Sequence, residues 1–191
     1  MKFDETELRG AFVIELDLHA DERGFFARTF ARETFEERGL VSDVVHSSIA
    51  WNTVAGTIRG MHFQFPPHAE VKLVRCTRGA ILDVIVDLRP ESPTFLESYA
   101  VRLDDENRRT LYVPERFAHG YQVLQDRTEV AYQMSAAYHP ESQGGLSHDD
   151  PGLAIEWPLP VSVISPRDRG WPPLESFESD LRRGMTVTEP G

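Results

Sequence analysis

Side chains capable of acid–base chemistry occur on segments that otherwise resemble apolar β-strands. His62, Lys72 and Tyr132 each lie in such a segment, and His119 lies in a fourth. An imidazole can take up a proton near neutral pH, a phenol can donate one, and an ammonium group can stabilise negative charge. If the strands close into a barrel with these faces inward, the four side chains converge on one site. Periodicity alone also allows each of the four to be a hydrogen-bonded structural residue or a solvated surface residue with no catalytic role.

Short strands, separated by Gly, Pro and Asp turns, account for most of the chain. In residues 80–88, alternating aliphatic side chains share one face, whereas Asp83 and Asp87 share the other. Similar runs occupy residues 11–18, 44–51, 57–65, 71–77, 97–103, 119–124 and 128–136. The clearest helix pattern covers residues 31–39 and stops at Gly39. This pattern predicts an all-β fold, an antiparallel sandwich or β-barrel with a few short helices.

The domain organisation follows from length and from the absence of internal divisions. A chain of 191 residues fits one domain, and no repeat, low-complexity tract or linker divides it. We therefore predict a single domain over residues 1–191. Its C-terminal segment, residues 166–191, is expected to wrap the surface and to carry a short helix near residues 174–183.

The charge balance and the cysteine count limit the possible partners. Acidic residues outnumber basic ones by 31 to 20, for a formal net charge of -11. No run of Lys or Arg could follow a phosphate backbone, so we expect no nucleic acid polymer as a partner. No apolar stretch has the length of a membrane span, and residues 1–7 lack the apolar core of a secretion signal. With Cys76 as the single cysteine, an internal disulfide is excluded, and a cytoplasmic location is predicted.

The stretch 56–79 resembles the metal-binding motif of cupins in its spacing but not in its ligands. His62 stands at the position of the motif's first His, and His119 takes the place of the His on a later strand. Gln64, however, stands where another His would be, and Lys72 stands where a Glu would be. An ammonium group has no lone pair for a metal, and two imidazoles are fewer ligands than a protein metal site normally has. We therefore predict metal-free chemistry at the mouth of a small barrel.

Ordered motifs cover nearly the whole chain. They are Asp21-Glu22-Arg23-Gly24-Phe25-Phe26, Arg59-Gly60-Met61-His62-Phe63-Gln64, Lys72-Leu73-Val74-Arg75, Asp83–Arg89, Pro114–Gly120, Asp149-Asp150-Pro151 and Ser165–Asp168. Together they resemble the dTDP-4-dehydrorhamnose 3,5-epimerase family. The resemblance implies a cupin-type antiparallel jelly roll or β-barrel, usually a homodimer. It implies an enzyme that inverts the carbons flanking the 4-keto group of a nucleotide-linked 6-deoxyhexose. It also implies that no metal or redox cofactor takes part.

The resemblance assigns roles to five side chains. His62 would remove a proton from the carbon next to the ketone, and Asp168 would hydrogen-bond that imidazole and stabilise it once it is charged. Tyr132 would donate a proton to the opposite face of the enolate. Lys72 would lie beside the ketone oxygen, where a cation stabilises the enolate more than the ketone. His119 would supply a further hydrogen bond.

For substrate binding, the resemblance assigns Arg23 and Arg59 to the diphosphate and Tyr138 to the nucleobase. Guanidinium groups suit phosphate oxygens because they donate in a fork. Arg59 has the opposite strand parity from His62, so both can serve one pocket only through a bulge near Gly60 or by facing a neighbouring subunit's site. The other expected substrate contacts are Arg28, Ser47, Gln64, Gln143 and Arg167.

One departure from the family pattern bears on the nucleobase. Arg28 stands where a Glu is usual, and an Arg cannot accept a hydrogen bond from the ring N–H of thymine. Either base recognition has changed, for example toward a cytidine-linked sugar, or Arg28 points into solvent and the base is held otherwise. Two alternatives to a double epimerase also stay open: a single-site epimerase of the same family and a non-catalytic sugar-binding cupin.

Overall fold

Short strands dominate the computed structural model, which describes residues 1–187. The strands are β1 (Lys2–Glu5), β2 (Phe12–Glu15), β3 (His19–Asp21), β4 (Gly24–Phe26), β5 (His46–Asn52), β6 (Ile58–Gln64), β7 (Lys72–Arg78), β8 (Ala80–Asp87), β9 (Ser98–Asp104), β10 (Thr110–Val113), β11 (Phe117–Val123), β12 (Thr128–Met134) and β13 (Gln143–Gly145). The α-helices are α1 (Arg32–Glu36), α2 (Pro166–Arg169) and α3 (Leu174–Met185). None of these helices is long and apolar enough to cross a bilayer.

The strands form two antiparallel sheets and a separate hairpin. The first sheet has the order β1-β2-β10-β7-β12-β5, and the second has the order β13-β6-β11-β8-β9. The hairpin pairs β3 with β4 and joins neither sheet. The all-β antiparallel fold with a few short helices is therefore confirmed.

The main hydrophobic core lies between the two sheets. The first sheet contributes residues such as Val74 and Val130, and the second contributes Ile85 and Val123, all of them fully buried. Burial of such aliphatic side chains contributes roughly 1.5–3 kcal/mol each before the entropy of ordering is counted. Toward one end of the sheets this apolar interior becomes polar, and the functional side chains are found there.

The outer face of the second sheet is covered by the C-terminal segment. Helix α3 buries Leu174, Leu181 and Met185 against this face. The short helix expected near residues 174–183 is therefore present, with bounds that extend to Met185. Residues 188–191 of the predicted wrapping segment lie outside the described part of the chain.

The outer face of the first sheet is partly covered by α1. Phe35 on this helix is fully buried and packs edge to face on Phe3, with 5.2 Å between ring centroids. The helix is shorter than the predicted span of residues 31–39, because a turn follows it. Gly39 closes that turn with a φ of +68°, a left-handed conformation in which a glycine is unstrained.

Strand β8 is buried on both faces, so its two acidic residues lie inside the protein. Val84 faces the cluster beneath α3, whereas Ile85 faces the core between the sheets. Asp83 and Asp87 are therefore fully buried. The alternation in the sequence correctly separates two faces, but neither of them is exposed to solvent.

Candidate active site

A cleft opens between the two sheets, at the end where polar side chains of both gather. It encloses about 960 Å³, counting the space at its open mouth. Eight of the thirteen side chains expected to act on or bind substrate line it: His62, Tyr132, Lys72, Arg59, Gln64, His119, Tyr138 and Gln143. An adjoining depression adds Arg167 and Asp168. Ten of the expected side chains are thus gathered around one continuous cleft.

His62 and Asp168 form a hydrogen-bonded dyad. Nε2 of His62 lies 2.6 Å from Oδ1 of Asp168, and the amide of Gly60 donates to Oδ2 at 3.3 Å. Burial opposes the charge of Asp168, but the hydrogen bonds from His62, Gly60 and Ser165 outweigh it and hold the pKa of Asp168 below its ordinary value. The carboxylate is therefore charged at neutral pH. It fixes a proton on Nε2 and leaves Nδ1 of a neutral His62 as the basic nitrogen.

Tyr132 lies on the opposite wall of the cleft from His62. It belongs to β12 in the first sheet, whereas His62 belongs to β6 in the second. Burial raises the pKa of Tyr132 well above that of an ordinary phenol, and the neighbouring phenol of Tyr121 adds to this effect. Tyr132 therefore carries its proton throughout the neutral range. The cleft has a proton acceptor on one wall and a proton donor on the other.

Lys72 enters the cleft from β7 as one half of an ion pair. Its ammonium group contacts the carboxylate of Glu70, and the two side chains are only 13% and 14% exposed. Because Glu70 balances part of the charge, the pair fixes the position of the ammonium in the cleft. Glu70 was not among the residues expected from the sequence.

His119 pairs with a second buried carboxylate. Its Nε2 lies 2.7 Å from Oδ1 of Asp83, and both residues are almost completely buried. Burial raises the pKa of Asp83, with His119 opposing this effect. The other oxygen of Asp83 finds no partner in the described residues. Asp83 holds the His119 ring in one orientation at the base of the cleft.

Arg59 and His62 share the cleft because β6 contains a bulge. In the pairing with β11, His62 lies opposite His119 and Arg59 lies opposite Tyr121, so β6 has one residue more than its partner between these pairs. Of the two arrangements considered for Arg59, the bulge near Gly60 is the one observed.

Hydrogen bonds hold the Arg59 guanidinium at the edge of the cleft. Its Nε donates to Oδ1 of Asn52 at 2.8 Å, and a second nitrogen donates to the carbonyl of Trp51 at 3.2 Å. Tyr121 also donates to Oδ1 of Asn52, at 3.4 Å. No carboxylate neutralises Arg59 among these contacts. Its charge is therefore available to an anionic ligand.

Arg167, Tyr138 and Gln143 form a polar group at the mouth. The phenol of Tyr138 donates to Oε1 of Gln143 at 2.5 Å, and the Arg167 guanidinium donates to the same oxygen. Tyr138 is 52% exposed, so its side chain is accessible to a ligand. All three were expected to bind substrate, and the structure places them together.

Gln64 lines the cleft but uses its amide to connect two loops. Its NH₂ group donates to the carbonyls of His68 at 2.8 Å and Ala137 at 3.1 Å. Its oxygen accepts from the amide of His139 at 2.6 Å. With both N–H groups occupied, Gln64 can offer a ligand only its oxygen. The structure thus assigns it a framework role beside the expected one.

Three expected substrate contacts lie away from the cleft of this chain. Arg23 is on the β3–β4 hairpin, with its side chain 84% exposed and paired to Asp21. Arg28 lines a separate depression near the N-terminus. Ser47 faces the outer side of the first sheet, because alternation along β5 directs its neighbour His46 into the cleft instead. The structure does not bring these three to the cleft of their own chain, so their contact with substrate stays a prediction.

Sequence reasoning also missed several side chains of the site. Glu70 lies two residues before Lys72, so both side chains point to the same face. An acid at this spacing from a lysine on a strand could have indicated the ion pair. Asp83 interrupts a strongly apolar strand, which is unusual for a solvated residue. Asn52 and Tyr121 gave no comparable signal, because their contacts depend on how the two sheets meet. His46 was also missed, because the sequence predicted its neighbour Ser47 as the substrate contact.

Among residues 1–187, one group of metal-binding side chains lies close together, outside the cleft: His68, His139 and Glu141. The two imidazole rings are stacked, with centroids 3.6 Å apart and planes at 15°. In-plane lone pairs of nearly parallel rings do not converge on one ion. The arrangement is therefore that of a stacked histidine pair rather than a preformed metal site.

Comparison with known proteins gives a consistent result over almost the whole chain. The sequence model of the dTDP-4-dehydrorhamnose 3,5-epimerase family matches residues 5–176. A protein described as dTDP-4-dehydrorhamnose 3,5-epimerase from Methanothermobacter thermautotrophicus is 45% identical over 91% of this chain and 94% of its own length. A dTDP-4-dehydrorhamnose 3-epimerase from Streptomyces niveus is 35% identical over 88% of this chain and 82% of its own length.

Solved structures agree with the sequence comparisons. The crystal structure of dTDP-6-deoxy-D-glucose-3,5-epimerase from Legionella pneumophila, in complex with dTDP-4-keto-L-rhamnose, superposes with a TM-score of 0.88. It is 36% identical, and the match covers 94% of this chain and 96% of the other. With the family model matching most of its length, the chain belongs to the dTDP-4-dehydrorhamnose 3,5-epimerase family.

Proposed function

We propose that the chain converts dTDP-4-dehydro-6-deoxyglucose into dTDP-4-dehydrorhamnose by inverting carbons 3 and 5 of the sugar. Each inversion removes a proton from a carbon beside the ketone and returns one to the opposite face of the resulting enolate. No atom other than a proton is exchanged, and the residues of the cleft supply every group that the reaction needs.

The observation that carries the proposal is the placement of His62 and Tyr132 on facing sheets. Inversion requires a base on one side of the sugar ring and an acid on the other. His62, held by Asp168, has a basic Nδ1, and the half-buried Tyr132 keeps its proton because its pKa is raised. A sugar between the two sheets would lie between these groups.

Lys72 and His119 are the groups that we propose for the enolate oxygen. The Lys72 ammonium, which is only 13% exposed, stabilises the negative charge that forms there. When the His119–Asp83 pair holds two protons, one lies between Nε2 of His119 and the Asp83 carboxylate, and the other is on Nδ1 of His119. Nδ1 can then donate to the enolate oxygen, whether the shared proton belongs to His119 or to Asp83. The total charge of the pair is then zero, so its burial is tolerable.

Arg59 and Arg167 are the proposed contacts for the diphosphate. Both lie beside the depression that continues the cleft past His62. Guanidinium groups donate pairs of hydrogen bonds to phosphate oxygens. Tyr138, next to Arg167, offers an exposed aromatic ring on which a nucleobase can stack. With these contacts, the sugar would lie deep in the cleft and the nucleoside at its mouth.

We also propose that the protein is a homodimer, as expected from the sequence. Apolar side chains are exposed on the edge strand β5 and on the β3–β4 hairpin, where Ile49 is 69% exposed and Phe26 is 67% exposed. A two-stranded hairpin is marginally stable unless other structure covers it. A second copy would cover these surfaces and would give Arg23 and Arg28 a cleft to reach. The cytoplasmic location stays a prediction.

Sedimentation equilibrium tests the assembly. Ile49→Arg is expected to shift the dimer toward monomer, whereas Val161→Arg, a matched change at another exposed aliphatic residue, is expected to leave it intact. A monomeric wild-type protein at micromolar concentration would contradict the dimer.

A direct test of the reaction is to incubate the purified protein with dTDP-4-dehydro-6-deoxyglucose and to identify the sugar product by NMR. Calorimetric titration with dTDP, UDP, CDP and GDP tests the base. We expect a preference for dTDP, and a preference for CDP would instead support an altered base site.

A single-site epimerase is the second candidate. The Streptomyces niveus relative, described as a 3-epimerase, shows that similar chains include such enzymes. The same NMR experiment separates the two, because a single-site enzyme would yield a product inverted at one carbon only.

A further inference from the structure

The dyad of His62 and Asp168 depends on α2, a helix of only four residues. A single helical turn has little stability of its own, so packing must hold it in place. Asp168 is anchored by its own amide, which donates to Oγ of Ser165 at 3.0 Å, and by the amide of Gly60. These bonds fix the carboxylate. The orientation of the His62 ring depends on the ring's other neighbours.

Trp171, just beyond α2, is the large side chain beside this ring. Its indole meets the imidazole of His62 edge to face, with centroids 6.4 Å apart and planes at 71°. On β13, Gly145 pairs in register with His62. A Cβ added at Gly145 would overlap Cδ2 and Cε2 of the indole. The indole therefore lies directly on the backbone that is paired with His62.

The indole is held by packing rather than by its polar group. Its Nε1 is buried and has no hydrogen-bond partner among the described residues. The Arg167 guanidinium lies 5.8 Å from the centroid of the same ring, within the range of a cation–π contact. Trp171 thus fills the space between the base at His62, the paired strand at Gly145 and the mouth at Arg167.

We propose that Trp171 is a positioning residue, which holds the His62 imidazole in line with Asp168 so that Nδ1 points into the cleft. The inference rests on the proposed role of His62 as the base. Without the indole, the imidazole can rotate toward the vacated space. A displacement of about 1 Å in a reacting group can lower a rate by about a hundredfold. Substrate contacts are made by other side chains, and Arg167 keeps its hydrogen bond to Gln143 without the indole, so binding is affected less than catalysis.

The test compares kcat and KM for variants on both sides of the indole. Trp171→Ala is expected to lower kcat roughly tenfold or more with a much smaller change in KM. Trp171→Phe, which keeps an aromatic ring, is expected to restore most of kcat. Gly145→Ala displaces the indole from the opposite side and is expected to reproduce the Trp171→Ala defect. Trp157→Phe is the matched control, because Trp157 bonds to the His148 carbonyl and does not touch the dyad.

NMR of the free protein gives a readout that is independent of turnover. In Trp171→Ala the His62 ring signals should shift and broaden, whereas in Trp157→Phe they should match the wild type. A wild-type kcat and unchanged His62 signals in Trp171→Ala would overturn the inference. So would a loss of activity that Trp171→Phe does not restore. If the wild-type protein itself fails to epimerise, the proposed function fails, while the His62 signals still decide whether Trp171 positions the ring.

Discussion

Nε2 of His62 lies 2.6 Å from Oδ1 of Asp168, although 106 residues separate the two in sequence. The bond joins the second sheet to the segment that follows the last strand. Because Asp168 has a lowered pKa, it is charged at neutral pH and determines which imidazole nitrogen carries the proton. The basic nitrogen of His62 is thereby fixed before substrate arrives.

Asp168→Asn tests the electrostatic part of this arrangement. The amide is close in size to the carboxylate, but it cannot stabilise an imidazolium, and it can bind either tautomer of His62. We expect kcat to fall by roughly 10²- to 10⁴-fold, the usual contribution of a positioned acid–base group. Steady-state kinetics measures this change, with circular dichroism as the control for folding. A kcat within twofold of wild type would contradict the role of the dyad.

Ionisation of Tyr132 gives a prediction about alkaline pH. Burial raises the pKa of this phenol well above 10, so it should stay protonated wherever the protein is folded and active. Tyrosinate absorbance, titrated for the wild type and for Tyr132→Phe, should therefore show no difference below pH 10. A tyrosine that ionises below pH 10 in the wild type but is missing from Tyr132→Phe would contradict this prediction. Tyr132 would then lose its proton too easily to be the donor that we propose.

The His119–Asp83 pair can be tested by a double-mutant cycle. In Asp83→Asn the amide can accept from Nε2 of a neutral His119 or donate to it, so the tautomer with a proton on Nδ1 is no longer fixed and donation to the enolate is weakened. We expect kcat to fall by up to roughly 10²- to 10³-fold, the cost of losing one donor to a developing oxyanion. In a His119→Gln background, Asp83→Asn should have much less effect, because the two residues act as a unit. Additive effects of the two changes on kcat would show that Asp83 does not act through His119.

A buried carboxylate outside the cleft gives a prediction about stability. Burial raises the pKa of Asp87, but hydrogen bonds from Arg89, Ser92 and Thr94 outweigh it and hold the pKa below 3.8. The folded-state pKa is lowered, so this stabilisation is present above the unfolded-state pKa and is lost as pH falls through the folded-state value.

We therefore expect Asp87→Asn to lower the free energy of unfolding at pH 7 by about 1–3 kcal/mol. The variant should also show a weaker decline of this free energy as the pH falls below the range in which an ordinary aspartate titrates. Urea unfolding across pH measures both effects. Glu156→Gln, at an exposed position, is the control. An Asp87→Asn profile parallel to that of the wild type would refute the assignment.

Alternation in the sequence was enough to predict the strands, the all-β class and the faces that carry His62, Lys72 and Tyr132. It could not show that β8 is covered on both sides, because that depends on α3 packing from the distant C-terminus. Asp83 therefore did not stand out as part of the site. The pairing partner of His119 becomes visible only when β8 and β11 are placed side by side.

The alternation of side chains between the two faces of a strand also limited the prediction of substrate contacts. A shift of one residue along β5 exchanges the face of Ser47 for that of His46, and no local signal in the sequence fixes that register. Conversely, the bulge that brings Arg59 and His62 into one cleft was one of two arrangements that parity allowed, and only the pairing of β6 with β11 decides between them.

The most direct measurement follows deuterium from heavy water into the sugar of dTDP-4-dehydro-6-deoxyglucose. With the wild-type protein, NMR should show solvent deuterium at both carbon 3 and carbon 5. His62→Ala should abolish the exchange at both positions. In Tyr132→Phe the His62 base is intact, so proton removal should persist while inverted product is strongly reduced. Wild-type protein that incorporates no deuterium at either carbon would contradict the proposed function.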